Sequence, residues 1–420
     1  MTLTEGSRDT RAEGARDTAA AGSRNPLADG IGHALSTDYF LLREDLSREQ
    51  MDFLLRTRAF VEDEVLPVIN DYWERAEFPR ELARKLGAAG LVGDGIEGYG
   101  CPPMDALSAG LVHMELNRGD GSLGTFLGVQ AGLAMKSIAM LGSEEQKQRW
   151  LPAMARCDAL GAFALTEPDH GSDSIALETT ARRDGDSWVL DGSKKWIGNG
   201  SIADVVVVWA RDTEDGQVKG FLVEQGTPGY RARRMEGKGS LRAVWQAEIE
   251  LEGVRVPAEN RLPGGQSFKD TGAVLATTRG SCAWMALGHA VAGYEAALTY
   301  AGRRKQFGRP LVEFQLIQQR LVAMLAKVTA MQLYCRRLAD LAMADRIAPT
   351  LAGLAKAHNT GTAREVLAEA RDLLGGNGIL LDFHVIRHMA DIESIHTFEG
   401  TETIQTLIVG RDITGASAFT

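Results

Sequence analysis

Cysteine is scarce. The four in 420 residues, Cys101, Cys157, Cys282 and Cys335, stand far apart and form no C-x-x-C pair. That spacing argues against a disulfide framework and a metal site, and it fits a reducing cytoplasm. A basic excess is also missing. The formal net charge of −10 argues against a general nucleic-acid binder, while leaving room for a local basic pocket around a phosphorylated ligand. No apolar run approaches the length of a membrane span, so no membrane partner is expected. Residues 1–36 are rich in Gly, Ala, Ser, Arg and Asp, lack apolar periodicity, and read as a disordered tail. With no apolar core, that tail is not a secretory signal. Its arginines are matched by Glu5, Asp9, Glu13, Asp17 and Asp29, which argues against an organelle transit peptide. The ending Ser-Ala-Phe-Thr does not match a peroxisomal address. There is no internal repeat.

What remains is an ordinary globular composition, long enough for two or three domains around a large core. Residues 37–158 read as a helical domain. Ser47 with Gln50 and Ser143 with Gln146 are capping boxes, and Pro79 is placed to open a helix. A formal G-x-G-x-x-G at Gly93, Gly95 and Gly98 is rejected as a dinucleotide fingerprint, because a helix precedes it and a Pro-rich loop follows. Residues 159–264 turn to short β-rich runs. Ser187–Leu190 leads into Asp191-Gly192, Val205–Ala210 is continuously apolar, Asp215-Gly216 follows, and Ala247–Leu251 alternates with period two. Those signals suggest a small antiparallel barrel or sandwich. From 265 to 420 the helical period returns. Ile317, Leu321, Met324, Val328, Met331, Cys335 and Leu338 mark one face of a long helix, and Gly375-Gly376 stop another. The fold class is α+β: helical domain, β domain, four-helix bundle.

Several stretches carry chemistry. His396-Thr397-Phe398-Glu399-Gly400-Thr401 sets one carboxylate among apolar neighbours, with Thr401 placed to N-cap a helix bearing Ile404, Leu407 and Ile408. A partly desolvated carboxylate on such a turn suits proton abstraction from carbon. The same hexapeptide also fits a solvated capping glutamate. Phe163 to Asp173 leaves a strand into a polar loop able to bind a heterocycle edge or phosphate oxygens, or forms a plain turn. Trp196, after Lys194-Lys195, stacks on a flat ring or fills a core. Arg304, before Gln306-Phe307-Gly308, suits a pyrophosphate or ends a basic helix. Arg231, Arg233, Arg234, Lys238 and Arg242 read as a solvated face. His170 has no nucleophile context and reads as loop structure.

Thr166-Glu167-Pro168 with Gly171-Ser172-Asp173, Lys195-Trp196-Ile197, Arg304 with Gln306-Phe307-Gly308, Gly375-Gly376-Asn377-Gly378 and Glu399-Gly400-Thr401 resemble, in order and spacing, the acyl-CoA dehydrogenase superfamily. The resemblance runs from about residue 38 to the end. Within the superfamily the chain is most similar to glutaryl-CoA dehydrogenases and plant short-chain acyl-CoA oxidases, through Asp71–Pro79, Gly98–Pro102 and Gly410–Gly415.

The resemblance implies FAD as cofactor and no metal. It makes Glu399 the base that takes the α-proton of an acyl thioester, with the β-hydrogen leaving as hydride to the flavin. The thioester carbonyl would be held by the Glu399 N–H and a flavin hydroxyl. Some members carry the base on a facing helix beside the residue matching Arg279; here that neighbour is Thr278, which leaves Glu399. Phe163, Leu165, Thr166, Gly171, Ser172, Trp196, Ile197, Gly198, Asp372, Leu373, Gly375, Gly376, Thr401 and Thr403 match flavin-contacting positions. So do Arg304, Phe307 and Gln315, of which Arg304 and Gln315 match residues that reach a neighbouring subunit's flavin. A homo-oligomer, usually a tetramer, is implied. Ser172, Gly124, Thr125, Arg279, Gly400 and Phe419 match positions around the substrate. An electron-transfer flavoprotein is the implied acceptor.

Three departures shape the expectation. Glutaryl-CoA dehydrogenases hold the distal carboxylate with an Arg and a Ser, helped by a Glu; this chain has Gly124, Gly128 and Asn117 there. A short or branched, non-decarboxylated acyl group, on CoA or a carrier protein, is expected instead. The usual Tyr before the base is Phe398. The Trp-Ile-Thr of most dehydrogenases is Trp196-Ile197-Gly198, which is expected to leave room beside the flavin and keeps a short-chain oxidase open as the alternative. A non-catalytic flavin-binding relative is the third reading.

Overall fold

The computed structural model describes residues 25–417. Phe419 and residues 1–24 of the expected tail lie outside the described residues. Residues 25–36 are folded, which corrects the tail boundary. Ile31 is buried in the helical core, Asn25 Nδ2 donates to Asn377 Oδ1 at 3.3 Å, and Arg118 Nη1 donates to the Gly32 carbonyl at 2.6 Å. Composition hid this, because a few scattered apolar anchors and hydrogen bonds leave no periodic signal.

The first helices are α1 (Arg48–Phe60), α2 (Ile69–Arg75), α3 (Arg80–Ala88), α4 (Ala106–Gly119), α5 (Gly121–Leu127), α6 (Lys136–Leu141) and α7 (Glu144–Ala155). Both expected capping boxes form, at Ser47 with Gln50 and at Ser143 with Gln146. Pro79 stands just before α3. A π-type segment, Gly128–Met135, joins α5 to α6. The run Gly121–Leu141 is long and apolar enough to cross a membrane by length and composition, contrary to the sequence reading, but 67% of its apolar window is buried inside the fold. Its hydrophobicity comes from Leu, Ile, Val, Phe and Met, and the Gly and Ala between them let neighbouring helices approach.

The strands are β1 (Gly161–Ala164), β2 (Thr180–Asp184), β3 (Ser187–Gly198), β4 (Val205–Asp212), β5 (Val218–Glu224), β6 (Tyr230–Arg234) and β7 (Gln246–Pro257). They form one seven-stranded sheet, mixed where a purely antiparallel one was expected: β4 pairs in parallel with β1 and, briefly, with β2. The cause is connectivity. The chain leaves β1 for β2 and β3 before returning to β4, and such a crossover yields parallel neighbours. Asp191-Gly192, expected to turn the chain, is instead an irregularity inside β3, where the pairing with β7 shifts register. The continuous apolar run of β4 has two buried faces. Val205, Val207 and Trp209 join the N-terminal helical core, and Val206, Val208 and Ala210 join a second core inside the β domain.

The C-terminal part comprises α8 (Phe268–Arg303), a hairpin of β8 (Lys305–Gln306) and β9 (Arg309–Pro310), then α9 (Gln315–Met343), α10 (Pro349–Leu373), α11 (Val385–Thr397) and α12 (Glu402–Thr414). The expected stripe of α9 is buried from Leu321 to Leu338, with Ile317 packed at its edge. Helices α8 and α10 lie alongside in the same direction: Asn359 Nδ2 donates to the Ala283 carbonyl, and Asn377 Nδ2 to the Tyr300 hydroxyl further along. A buried polar knot ties α11 to the other parts. Arg387 donates to Asp120 Oδ2 (2.5 Å) and the Gly119 carbonyl (3.0 Å), and Asp391 Oδ1 accepts from Trp73 Nε1 (2.9 Å) and the Leu241 N–H (2.6 Å).

Candidate active site

Glu399 lies in the turn between α11 and α12. Two successive residues with positive φ, Glu399 (56°) and Gly400 (80°), reverse the chain. A non-glycine residue there costs on the order of 1 kcal/mol, so the surroundings must hold it. A Cβ on residue 400 would stand 2.4 Å from Gln405 Nε2, so this half of the turn needs glycine. Thr401 N-caps α12 as expected, its side chain accepting from the Ile404 N–H at 3.2 Å.

Glu399 is half-buried, and Thr278 Oγ1 donates to its Oε2 at 3.0 Å. Burial pushes its pKa up; the Thr278 hydrogen bond and the charges of Lys356 and Arg279 pull against that without cancelling it. A carboxyl so placed is a stronger base than a solvated one, which speaks against the solvated-cap reading of the hexapeptide.

The helical run from α5 through the π segment packs against Thr278 and the end of β3. A Cβ on Gly132 would touch Thr278 Cγ2 at 3.3 Å, and one on Gly198 would stand 2.7 Å from Val129 Cγ2. The end of β3, the π segment, Thr278 and Glu399 are thus consecutive in space. The contact at Gly198 corrects an expectation: Val129 fills the space that glycine was expected to leave open. Thr125 shares a helix face with Gly128 and Gly132. Its buried hydroxyl has no hydrogen-bond partner among the described residues, and neither has Arg279 Nε. At Gly124 the place of a side chain is taken by the amide of Asn117, 2.2 Å from an ideal Cβ.

Trp196 is 57% exposed at φ 64°, so it is not a core residue. Ile197 is buried behind it. The Phe163–Asp173 loop is anchored by a buried ion pair that the sequence reading missed. Glu167 accepts from Lys194 Nζ (2.8 Å) and from the N–H groups of Glu178 (2.6 Å) and Thr179 (2.9 Å). Burial lowers Lys194 to about 8. Phe163 packs on Trp209 and Leu165 is buried, so only their backbone can meet a ligand; Thr166 is half-buried, and Gly171 and Ser172 are exposed. His170 lies in this loop 3.5 Å from Glu178.

The remaining expected residues gather elsewhere. Arg304 stands 26 residues beyond Thr278 along α8, roughly 39 Å at helical rise. Phe307, 94% exposed, and Gln315 follow it. Asp372, Leu373, Gly375 and Gly376 close α10 at the same end, with Asp372 accepting from Arg320 Nη2 at 2.8 Å. Thr403 is exposed on the first turn of α12, on the Glu399 side. One chain therefore brings together the first group and not the second.

The basic cluster also divides. Arg231 and Arg233 pair with Glu252 and Glu248 on the surface, as expected. Lys238 and Arg242 instead turn inward to backbone carbonyls, among them Val244 and Trp73, and burial lowers Lys238 to about 8. Carbonyls of the loop after β6 hold Lys238, and those of Trp73 and Glu74 in α2 hold Arg242. Lys356 and Gln405, both buried beneath the Glu399 turn, were not anticipated. Lys356 did leave a signal, a lysine at a core position of an otherwise small, apolar helix face.

Three family models match in succession: acyl-CoA dehydrogenase N-terminal domain over residues 47–158, middle domain over 162–254 and C-terminal domain over 268–414. A short-chain specific acyl-CoA dehydrogenase, mitochondrial, of Bos taurus is 35% identical over 360 residues, covering 84% of this chain and 87% of that protein. Among solved structures, a glutaryl-CoA dehydrogenase from Mycobacterium smegmatis superposes with a TM-score of 0.88 at 42% identity, covering 90% of this chain and 98% of that one. A second one from the same organism, in complex with FADH2, gives 0.89 at 38%, covering 91% and 99%.

Proposed function

Because the chain belongs to the acyl-CoA dehydrogenase family of FAD-dependent oxidoreductases, we propose that it removes the α and β hydrogens of a short or branched acyl-CoA thioester. FAD, when bound, would supply the acceptor for the β-hydrogen, which leaves as hydride. Glu399 takes the α-proton on its carboxylate. The Glu399 N–H, which no described residue engages, receives the thioester oxygen and acidifies the α-carbon. Trp196 and the backbone of the Leu165–Ser172 loop hold the flavin from the β domain, and the exposure of Trp196, Gly171 and Ser172 supports that fit. Arg304, Phe307, Gln315 and Asp372–Gly376 hold the flavin of a second copy. Their distance from Glu399 within one chain supports a homo-oligomer, expected to be a tetramer. Electrons leave to an electron-transfer flavoprotein.

Glutaryl-CoA is not the substrate in this reading. Helix α5 offers Gly124, its side-chain place filled by Asn117, where a cation would be needed, and an unpaired carboxylate in such a pocket is costly. The Gly198–Val129 contact speaks against the oxidase alternative. The observation that carries the proposal is the Glu399 carboxyl, pKa raised by burial, held by Thr278 opposite the π segment. Anaerobic bleaching of the flavin by butyryl-, isobutyryl- and glutaryl-CoA tests it. Bleaching by one of the first two and not by the third is expected. Bleaching by glutaryl-CoA alone would reverse the substrate assignment, peroxide formed at the turnover rate would make it an oxidase, and no bleaching would end the catalytic reading.

A further inference from the structure

Beneath the Glu399 turn lies a fully buried cation whose hydrogen bonds go to carbonyl oxygens. Lys356 sits on α10 on a face it shares with Ala352, Ala355, Asn359 and Thr360, all buried. Its ammonium donates to the carbonyls of Phe398 and Gly400, the residues on either side of Glu399. Gln405, also fully buried, donates from Nε2 to the carbonyls of Glu399 (3.0 Å) and Gly400 (3.2 Å). Three successive carbonyls thus turn inward to two side chains. In a trans peptide the C=O and the following N–H point opposite ways. Holding the Phe398 oxygen inward therefore turns the Glu399 N–H toward the cleft. A neutral amide serves carbonyls well enough, as Gln405 does. A buried ammonium costs far more to desolvate, so its charge calls for a reason.

We propose that Lys356 is a positioning residue for the dehydrogenation: its ammonium fixes and polarises the Phe398–Glu399 peptide, so that the Glu399 N–H is a stronger donor to the thioester oxygen, and its charge favours the ionised Glu399. This rests on the reaction proposed above. Hydrogen bonds in series strengthen one another, and a donor aimed at developing charge is worth about 10²–10³ in kcat. Lys356 acts one peptide removed, so a loss of about tenfold to a hundredfold is expected without it. The charged and titratable groups around the carboxyl are Lys356 from α10 and Arg279 and Cys282 from α8; burial raises the Cys282 thiol to about 12, which leaves it neutral.

The test pairs Lys356→Met with Lys356→Arg in the FAD-loaded protein. Infrared titration of ¹³C-labelled glutamate, with Glu399→Gln as blank, reads the Glu399 carboxyl directly; kcat and KM are followed in parallel. In Lys356→Met the Glu399 pKa should rise by about one unit, a tenfold change in proton affinity, and kcat should fall with KM nearly unchanged. Lys356→Arg, which keeps the cation, should titrate like the parent. A Lys356→Met protein whose Glu399 titrates as in the parent, or whose defect lies in KM alone, overturns the proposal. Should the Met variant not fold, Lys356→Gln, neutral but able to donate, is judged by the same criteria. If the parent protein turns over no acyl-CoA, the proposed reaction fails, while the titration still decides whether Lys356 acts on Glu399.

Discussion

Thr278 offers the most direct measure of how the site tunes its base. Glu399 must be ionised to accept a proton. Burial raises its pKa, and the Thr278 hydrogen bond is the largest influence pulling it back. Thr278→Val keeps the side-chain shape and removes the donor. A hydrogen bond to a charged acceptor is worth about 1.5–3 kcal/mol. The Thr278 hydroxyl, however, also lies 3.1 Å from the Leu275 carbonyl, so one proton serves two acceptors. The low end applies, about 1.4 kcal/mol or one pKa unit. The direction is fixed: losing a donor to the charged form raises the pKa further. Stopped-flow flavin reduction at saturating butyryl-CoA should rise with pH through the Glu399 pKa. In Thr278→Val that limb should move up by about one unit. The rate then falls about tenfold at its foot and returns to the parental value on the plateau. An unmoved limb, or a plateau lowered as much as the foot, would refute the account.

The turn that carries Glu399 was legible because its signals are local. Glu399, the Thr401 cap and the glycine between them sit within three residues, and both capping boxes and the α9 stripe depend on spacing alone. What the sequence concealed depends on distant partners. Asp191-Gly192 has the composition of a hairpin turn, yet β7 pairs along the whole of β3 and converts it to an irregularity within the strand. Gly198 looks like an opening until Val129, nearly seventy positions earlier, is seen filling it. Lys356 and Gln405 approach the Glu399 turn from different helices, and no local pattern links them to it. The expected flavin residues read as one set along the chain. They divide in space because α8 is long enough to carry Arg304 far from Thr278.

Three further outcomes are expected. Glu399→Gln should keep the flavin and the melting temperature while slowing anaerobic bleaching by about 10²–10⁴-fold, the scale on which loss of a general base is felt; retained bleaching would remove Glu399 from its role. Gly198→Ala should destabilise the protein by about 1–3 kcal/mol through the Val129 contact, and adding Val129→Ala should recover most of it in thermal melts. Asp391→Asn should flatten the pH dependence of stability. Burial, and then the neighbouring Asp120, raise Asp391 to about 7. Asp120 already holds the Arg387 guanidinium, and Asp391 Oδ2 has no partner among the described residues. A carboxyl that keeps its proton when folded contributes stability that is full below its unfolded pKa, near 4, and is lost as the pH rises through about 7. The asparagine still accepts from Trp73 and Leu241 through Oδ1 and has no proton to lose. Urea midpoints at pH 5 and pH 8 should therefore diverge more in the parent than in the variant, and equal divergence would mean that Asp391 is ionised at both.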